Sequence, residues 1–209
     1  EVVSFFQDYL FEGPALLDLQ REIGQGRSDC ENFLRGHLGI CYDACHAAVE
    51  FEEPVLSFRR LQEAGIRVFK TQISNALRIS FQQEDDRIAQ VLSPFAEEVY
   101  LHQVVEKREG RFTRYEDLPL ALKNLARSPG KGLAEWRIHF HVPIFMAKNG
   151  DLDTTQEDLR ETMHGMLQSS CTHFEVETYT FHVLPPEYRE EEVSRSVSRE
   201  LEWAIAQIT

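Results

Sequence analysis

The chain has 209 residues, with 22 Lys and Arg against 35 Asp and Glu, a formal net charge of −13, and 42% hydrophobic residues. That mixture reads as a soluble globular fold, one domain or a large part of one. The acidity argues against nucleic acid or an anionic membrane as a main partner, and no apolar run reaches the length of a membrane span.

The chain opens on apolar residues at helical spacing, Val2 to Leu10, so it is expected to start inside an element of something longer. Gly13-Pro14 breaks that helix, and Pro14 suits the first turn of a second one, through about Ile23. Ser28 or Asp29 is the expected cap of a third, which carries Phe33 and Leu34 into a core. A short buried strand follows at 38–43. Pro54 then opens an amphipathic helix that Gly65 ends. Ile66 to Ser74, rich in β-branched residues, is the next strand. Strand, helix, glycine, strand is a βαβ unit, so these two strands should be parallel neighbours. Four cysteines, Cys30, Cys41, Cys45 and Cys171, show no metal-knuckle spacing. With Cys41 and Cys45 read into the buried strand, the expectation is reduced thiols in a cytoplasmic protein.

Asp85 to Glu97 reads as a helix that Pro94 bends or ends. Val99 to Val105 reads as a strand, joined through Glu109-Gly110 to a hairpin partner at Arg111 to Tyr115. Asp117 is the expected cap of a helix carrying Leu118, Leu120, Ala121 and Leu125. The Ser128-Pro129-Gly130-Lys131-Gly132 loop lacks the glycine spacing of a phosphate-binding loop. A strand from Trp136 to Phe145 follows. Thr154-Thr155-Gln156-Glu157 has the form of a capping box ahead of a helix. The chain closes with a strand at His173 to Phe181 and a helix from Glu187 to Ile208, on which Glu187, Glu190, Glu191 and Glu192 form a solvated face.

Three stretches carry chemistry. Asp43 and His46 stand three residues apart where the first strand ends, and Asp43 reads either as a helix N-cap or as half of a metal or substrate clamp. Strand alternation puts His139 and His141 on one face, where they share a metal, flank an anion, or merely hydrogen-bond to neighbours. Glu175 and Glu177 also share a face, either with a cation or donors between them or at a solvent-facing edge. Carboxylates and imidazoles spread over separate strand ends describe the C-terminal face of a (β/α) barrel, with a divalent ion (Zn, Mn, Fe or Co) as the cofactor.

Gly39-Ile40-Cys41-Tyr42-Asp43-Ala44-Cys45-His46-Ala47-Ala48-Val49-Glu50-Phe51-Glu52 resembles the sixth-strand region of the xylose-isomerase-like TIM barrels, the sugar phosphate isomerase/epimerase superfamily. More narrowly it is similar to the EboE "metabolite traffic protein" branch, as are Val68 to Leu77, Trp136 to Phe145 and His173 to Pro185. The resemblance implies an α/β fold, the C-terminal part of a (β/α)8 TIM barrel across 1–209, with a long insertion at 80–150 between the last two strands that holds the hairpin, a helix and the His-x-His strand. The first strands, and the earlier-strand Glu of the family's metal set, would lie in an N-terminal half or a partner chain. Carried over, Asp43 and Glu177 are metal ligands, His46 contacts substrate or a further metal, and Glu177 and His46 are the catalytic pair. Gln72 stands where the family has a metal-binding imidazole. His139 or His141 is then the replacement, with His141 taken as the ligand and His46, Lys70, Gln72 and His139 as substrate contacts. Three functions follow: a metal-dependent isomerase or epimerase of a small sugar or sugar-phosphate-like metabolite, a non-catalytic metabolite carrier using the same crevice, and nuclease-like metal chemistry, which the acidic charge disfavours.

Overall fold

The structure is a computed structural model that describes residues 1–82, 87–127, 130–169, 171–177, 180–186, 189 and 192–208. Its elements form a mixed α/β architecture around two sheets. Helix α1 (Val2–Phe5) runs into a π-helical turn at Phe6–Phe11, followed by α2 (Pro14–Ile23) and α3 (Arg27–His37). Strand β1 (Gly39–Asp43), helices α4 (Ala44–Val49) and α5 (Pro54–Glu63), and strand β2 (Arg67–Ile73) then form the expected βαβ unit, with β1 and β2 parallel.

From β2 the chain passes directly into a second, antiparallel sheet. Strand β3 (Ala76–Phe81) is followed by α6 (Arg87–Leu92) and a 3-10 turn at Ser93–Phe95 that contains Pro94. Strands β4 (Val104–Arg108) and β5 (Arg111–Tyr115) form a hairpin whose two turn residues, Glu109 and Gly110, both have positive φ (50° and 77°). That backbone twist matches the twist of the strands it joins. Helix α7 (Leu118–Arg127) and strand β6 (Ala134–His141) come next, then the short β7 (Lys148–Asn149) and β8 (Leu152–Thr154). The order in this sheet is β5-β4-β6-β3-β8-β7. Helix α8 (Gln156–Leu167) returns the chain to the first sheet, where β9 (His173–Val176) lies parallel to β2, and α9 (Val193–Ile208) closes it.

The largest apolar cluster backs the antiparallel sheet: Leu77, Ile79, Phe81, Trp136, Ile138 and Phe140 pack with Leu92, Phe95 and Leu118. A second cluster fills the other side of the parallel sheet, where Tyr42 and Val68 meet Phe58 and Leu61 of α5, Met166 of α8 and the N-terminal helices. Gly39 is dictated by close approach, because a Cβ there would stand 2.4 Å from the Arg67 carbonyl oxygen and 2.6 Å from the Phe69 ring.

Several expectations change. Among the described residues there is no closed barrel: three parallel strands, in the order β1-β2-β9, are joined to the antiparallel sheet. Strand β1 is not buried, since only Tyr42 of its five residues is, and Cys41 is exposed. Cys45 is buried but lies in α4, not in the strand. The stretch 99–103 is not strand, and β4 begins at Val104. No capping box forms at Thr154. Thr155 is the N-cap, and its hydroxyl accepts from Ala76 N–H (2.9 Å) and donates to Asn75 Oδ1 (3.2 Å), stitching β3 to α8 instead. Strand β9 ends at Val176, and Thr180 and Phe181 lie in a turn. The start of the expected last helix, with Glu187, Glu190 and Glu191, falls outside the described residues, as do Ser128 and Pro129 of the loop and Asp85 at the expected start of the sixth helix.

Candidate metal centre

The site lies on the seam between the sheets. Asp43 ends β1, and its backbone leaves the strand in an extended conformation to start α4. One carboxylate oxygen, Oδ1, accepts from the N–H of Cys45 (2.9 Å), the N–H of His46 (3.2 Å) and the Ser74 hydroxyl (2.8 Å). The other, Oδ2, is 3.9 Å from His46 Nε2. The N-cap reading of Asp43 therefore holds, and the cap uses one of its two carboxylate oxygens.

Glu177 follows β9 and extends the ladder, its N–H donating to the Ile73 carbonyl (3.1 Å). Its Oε2 is buried with no hydrogen-bond partner among the described residues and is 3.9 Å from His141 Nδ1. A buried carboxylate oxygen without a donor is costly unless a cation completes it. Burial, with Asp43 and Glu175 adding negative charge, pushes the Glu177 carboxyl above its ordinary value.

The imidazoles come from β6, which three ties hold in place. Arg137 donates to the Ala48 carbonyl at the end of α4 (2.7 Å) and to Asp158 of α8 (3.0 Å), and its guanidinium lies 4.2 Å from the Phe51 ring centre. His139 N–H donates to the Gln103 carbonyl (2.8 Å), and Thr180 donates to the His141 carbonyl. On the face this leaves toward α4, the His139 ring packs against His46 at a tilt, with centroids 4.1 Å apart, and its Nε2 is 3.2 Å from His141 Nε2. Burial is the main cause that holds His139 down to about 3 and His141 to about 4, with the charge of His46 adding to both. At neutral pH both rings are uncharged, the form in which an imidazole ligates a metal.

Ligand atoms of Asp43, His141 and Glu177 lie within 4.8 Å of one another, and so do those of Cys45, His139 and His141. No family model, curated protein or solved structure matches the chain. The centre is therefore read from its own chemistry. Its first set, two carboxylates and one neutral imidazole, is a donor set for a hard to borderline divalent ion.

The remaining sequence candidates lie around that set. His46 is on its open side, with over half of its side chain exposed. Gln72 pairs in register with Asp43, and its amide oxygen accepts from the Cys41 thiol at 3.6 Å. Lys70, one step earlier on that face, forms an ion pair with Glu175. Cys41, Lys70, Gln72 and Glu175 thus form a polar patch leading away from the centre. Sequence reasoning missed Ser74, which orients Asp43, and Cys45, which joins the imidazoles. For Cys45 the signal was its position between Asp43 and His46 in the first turn of a short helix.

Proposed function

We propose that Asp43, His141 and Glu177 hold a divalent metal ion, and that the protein is an isomerase- or epimerase-like protein acting on a small sugar or sugar-phosphate-like metabolite. In this reading the chain supplies the C-terminal part of a TIM barrel, with β1, β2 and β9 as barrel strands and an N-terminal half or partner chain supplying the others. The observation that carries it is the convergence of Asp43, His141 and Glu177 from the ends of three strands onto one volume, around a buried Glu177 oxygen with no donor among the described residues. The parallel sheet supports the barrel setting: β1 and β9 each have one unpaired edge among the described residues, and Cys41, His173 and Glu175 leave one face open, whereas parallel sheets are normally covered on both faces.

A divalent ion there would polarise the oxygens of a bound carbonyl or hydroxyl. The protein's own groups do the rest. Glu177, raised by burial, takes and returns a proton beside the carbonyl carbon through whichever oxygen is free. His46, at the mouth and 3.9 Å from Asp43, contacts the substrate and exchanges protons with it. Gln72 and the Lys70–Glu175 pair provide hydrogen-bonding groups for hydroxyls or a phosphate along the open face. His139 packs behind His46 and limits how far the substrate enters.

A second reading, a non-catalytic metabolite carrier, draws on Gln72, an amide where the family has a metal-binding imidazole, whose oxygen accepts from the Cys41 thiol. Elemental analysis of the purified protein beside Asp43→Asn and Glu177→Gln tests the metal claim. Asparagine keeps the capping oxygen, so the fold is retained while the charge is lost. The expected result is about one Mn²⁺ per chain after incubation with added Mn²⁺, lost in both variants. A wild-type protein that takes up no added metal would overturn it. Metal binding together with tight ligand retention and no turnover of any sugar or sugar phosphate would favour the carrier.

A further inference from the structure

The carboxylate set leaves three observations at the seam unused: a fully buried thiol, a pair of imidazole nitrogens in close approach, and an imidazole whose two nitrogens face different partners. Cys45 has no exposed surface, and its backbone N–H is held by both Asp43 Oδ1 and Ser74 Oγ (2.9 and 3.0 Å). Val49, Ala76 and Val105 wall it on the dry side. Its sulfur and one ring nitrogen each of His139 and His141 lie within 4.8 Å of one another. The two Nε2 atoms are 3.2 Å apart. Two nitrogens on one tetrahedral zinc, each at about 2.0–2.1 Å, stand about 3.3 Å from each other. The pair is already at that spacing.

We propose that Cys45, His139 and His141 form a second, thiolate-containing metal position next to the carboxylate one, selective for Zn²⁺ over Mn²⁺ or Mg²⁺. Sulfur with two imidazoles is a soft to borderline donor set, where Asp43 and Glu177 offer hard oxygens. The two positions meet at His141, whose Nδ1 faces Glu177 (3.9 Å) and whose Nε2 faces His139. The second position does not need the first, because Cys45 and His139 belong to it alone. With the carboxylate position empty, binding releases one proton: the Cys45 S–H proton leaves to water, the thiolate and one lone pair from each imidazole bond the ion, and the open side toward His46 is left for a fourth donor; filling both positions through both His141 nitrogens would release its N–H proton as well. The supporting shell is rigid where it matters, with Arg137 fixing β6 against α4 and Ser74 fixing the Cys45 amide.

Cobalt substitution tests this. Metal-free protein titrated with Co²⁺ is expected to develop an intense near-ultraviolet thiolate-to-cobalt band at one equivalent. The band should be lost in Cys45→Ser and His139→Gln, and retained in Cys41→Ser, Asp43→Asn and Glu177→Gln. Zn²⁺ affinity of Cys45→Ser should fall more than about a hundredfold, since even an outer-shell partner is worth about 10- to 100-fold. Wild-type protein that binds Co²⁺ without that band, or a band that survives Cys45→Ser, would overturn the proposal, and the wild-type spectrum decides even if a variant fails to fold. Failure of the carboxylate reading shows differently, as Mn²⁺ uptake unaffected by Asp43→Asn.

Discussion

The two sheets solve opposite problems. The antiparallel sheet has a dry face, with Trp136, Ile138 and Phe140 of β6 fully buried. The parallel sheet is wet on one face, where Cys41, Lys70, Gln72 and Glu175 lie, and its shortest strand, β9, buries none of its four residues. The candidate centre takes neutral nitrogen donors from the dry sheet and charged oxygen donors from the wet one. A metal site of this kind combines imidazoles fixed in their neutral form with carboxylates whose charge a bound cation offsets.

That division can be tested by cutting each side. The largest effect should come from Trp136→Ala, which empties the centre of the dry core and leaves Glu106 without the indole N–H it accepts at 2.6 Å. A loss of about 3–5 kcal/mol is expected from urea unfolding. Arg137→Ala should follow at roughly 2–3 kcal/mol, because charged hydrogen bonds to α4 and α8 go at once. It should also weaken metal uptake without removing a ligand, since it frees β6 from α4. Little change in stability after either substitution would break the picture of a rigid half.

The pH response sharpens the same contrast. His139 and His141 are held below their ordinary 6.5, to about 3 and about 4. As pH falls below 6.5 the unfolded chain takes up protons that the folded one refuses. Stability is therefore complete above about 6.5 and is lost progressively toward pH 4 and then 3. Glu177, raised from its ordinary value of 4.5, opposes that slope, because what it contributes is present at low pH and lost as pH rises through its folded value. The urea midpoint of metal-free protein should be lower at pH 5 than at pH 7, and His139→Gln should narrow the gap. An equal gap in that variant would contradict the assignment. The smallest effect belongs to the wet face: Lys70→Met breaks an exposed pair with Glu175 and should leave the midpoint unchanged, as exposed ion pairs generally do.

What the sequence revealed follows from how local each signal is. The βαβ unit was legible because Pro54, Gly65 and the β-branched run of β2 are neighbours in sequence. Asp43 was legible as a strand-end acid and a helix N-cap, though the part Ser74 plays on the same oxygen was not. His139 and His141 were placed on one face by alternation alone. Cys45 was only partly legible: its place between Asp43 and His46 is local, but its meeting with β6 depends on α4 starting at Ala44 and on Arg137 reaching Ala48 across 89 residues. The Thr154-x-x-Glu157 pattern misled because the helix starts one residue later, at an N-cap of Thr155, and the Thr154 hydroxyl instead donates to the Met146 carbonyl (2.7 Å) and accepts from Gln156 N–H (3.3 Å). The order of the antiparallel sheet, with β6 between β4 and β3, is a non-local outcome that no local periodicity encodes.

Crystals grown in Mn²⁺ and measured at the manganese absorption edge test the central claim most directly. The account predicts an anomalous peak bounded by Asp43, His141 and Glu177, absent from crystals of Glu177→Gln. A manganese-loaded crystal with no peak there, or with peaks only at exposed carboxylates, would contradict it.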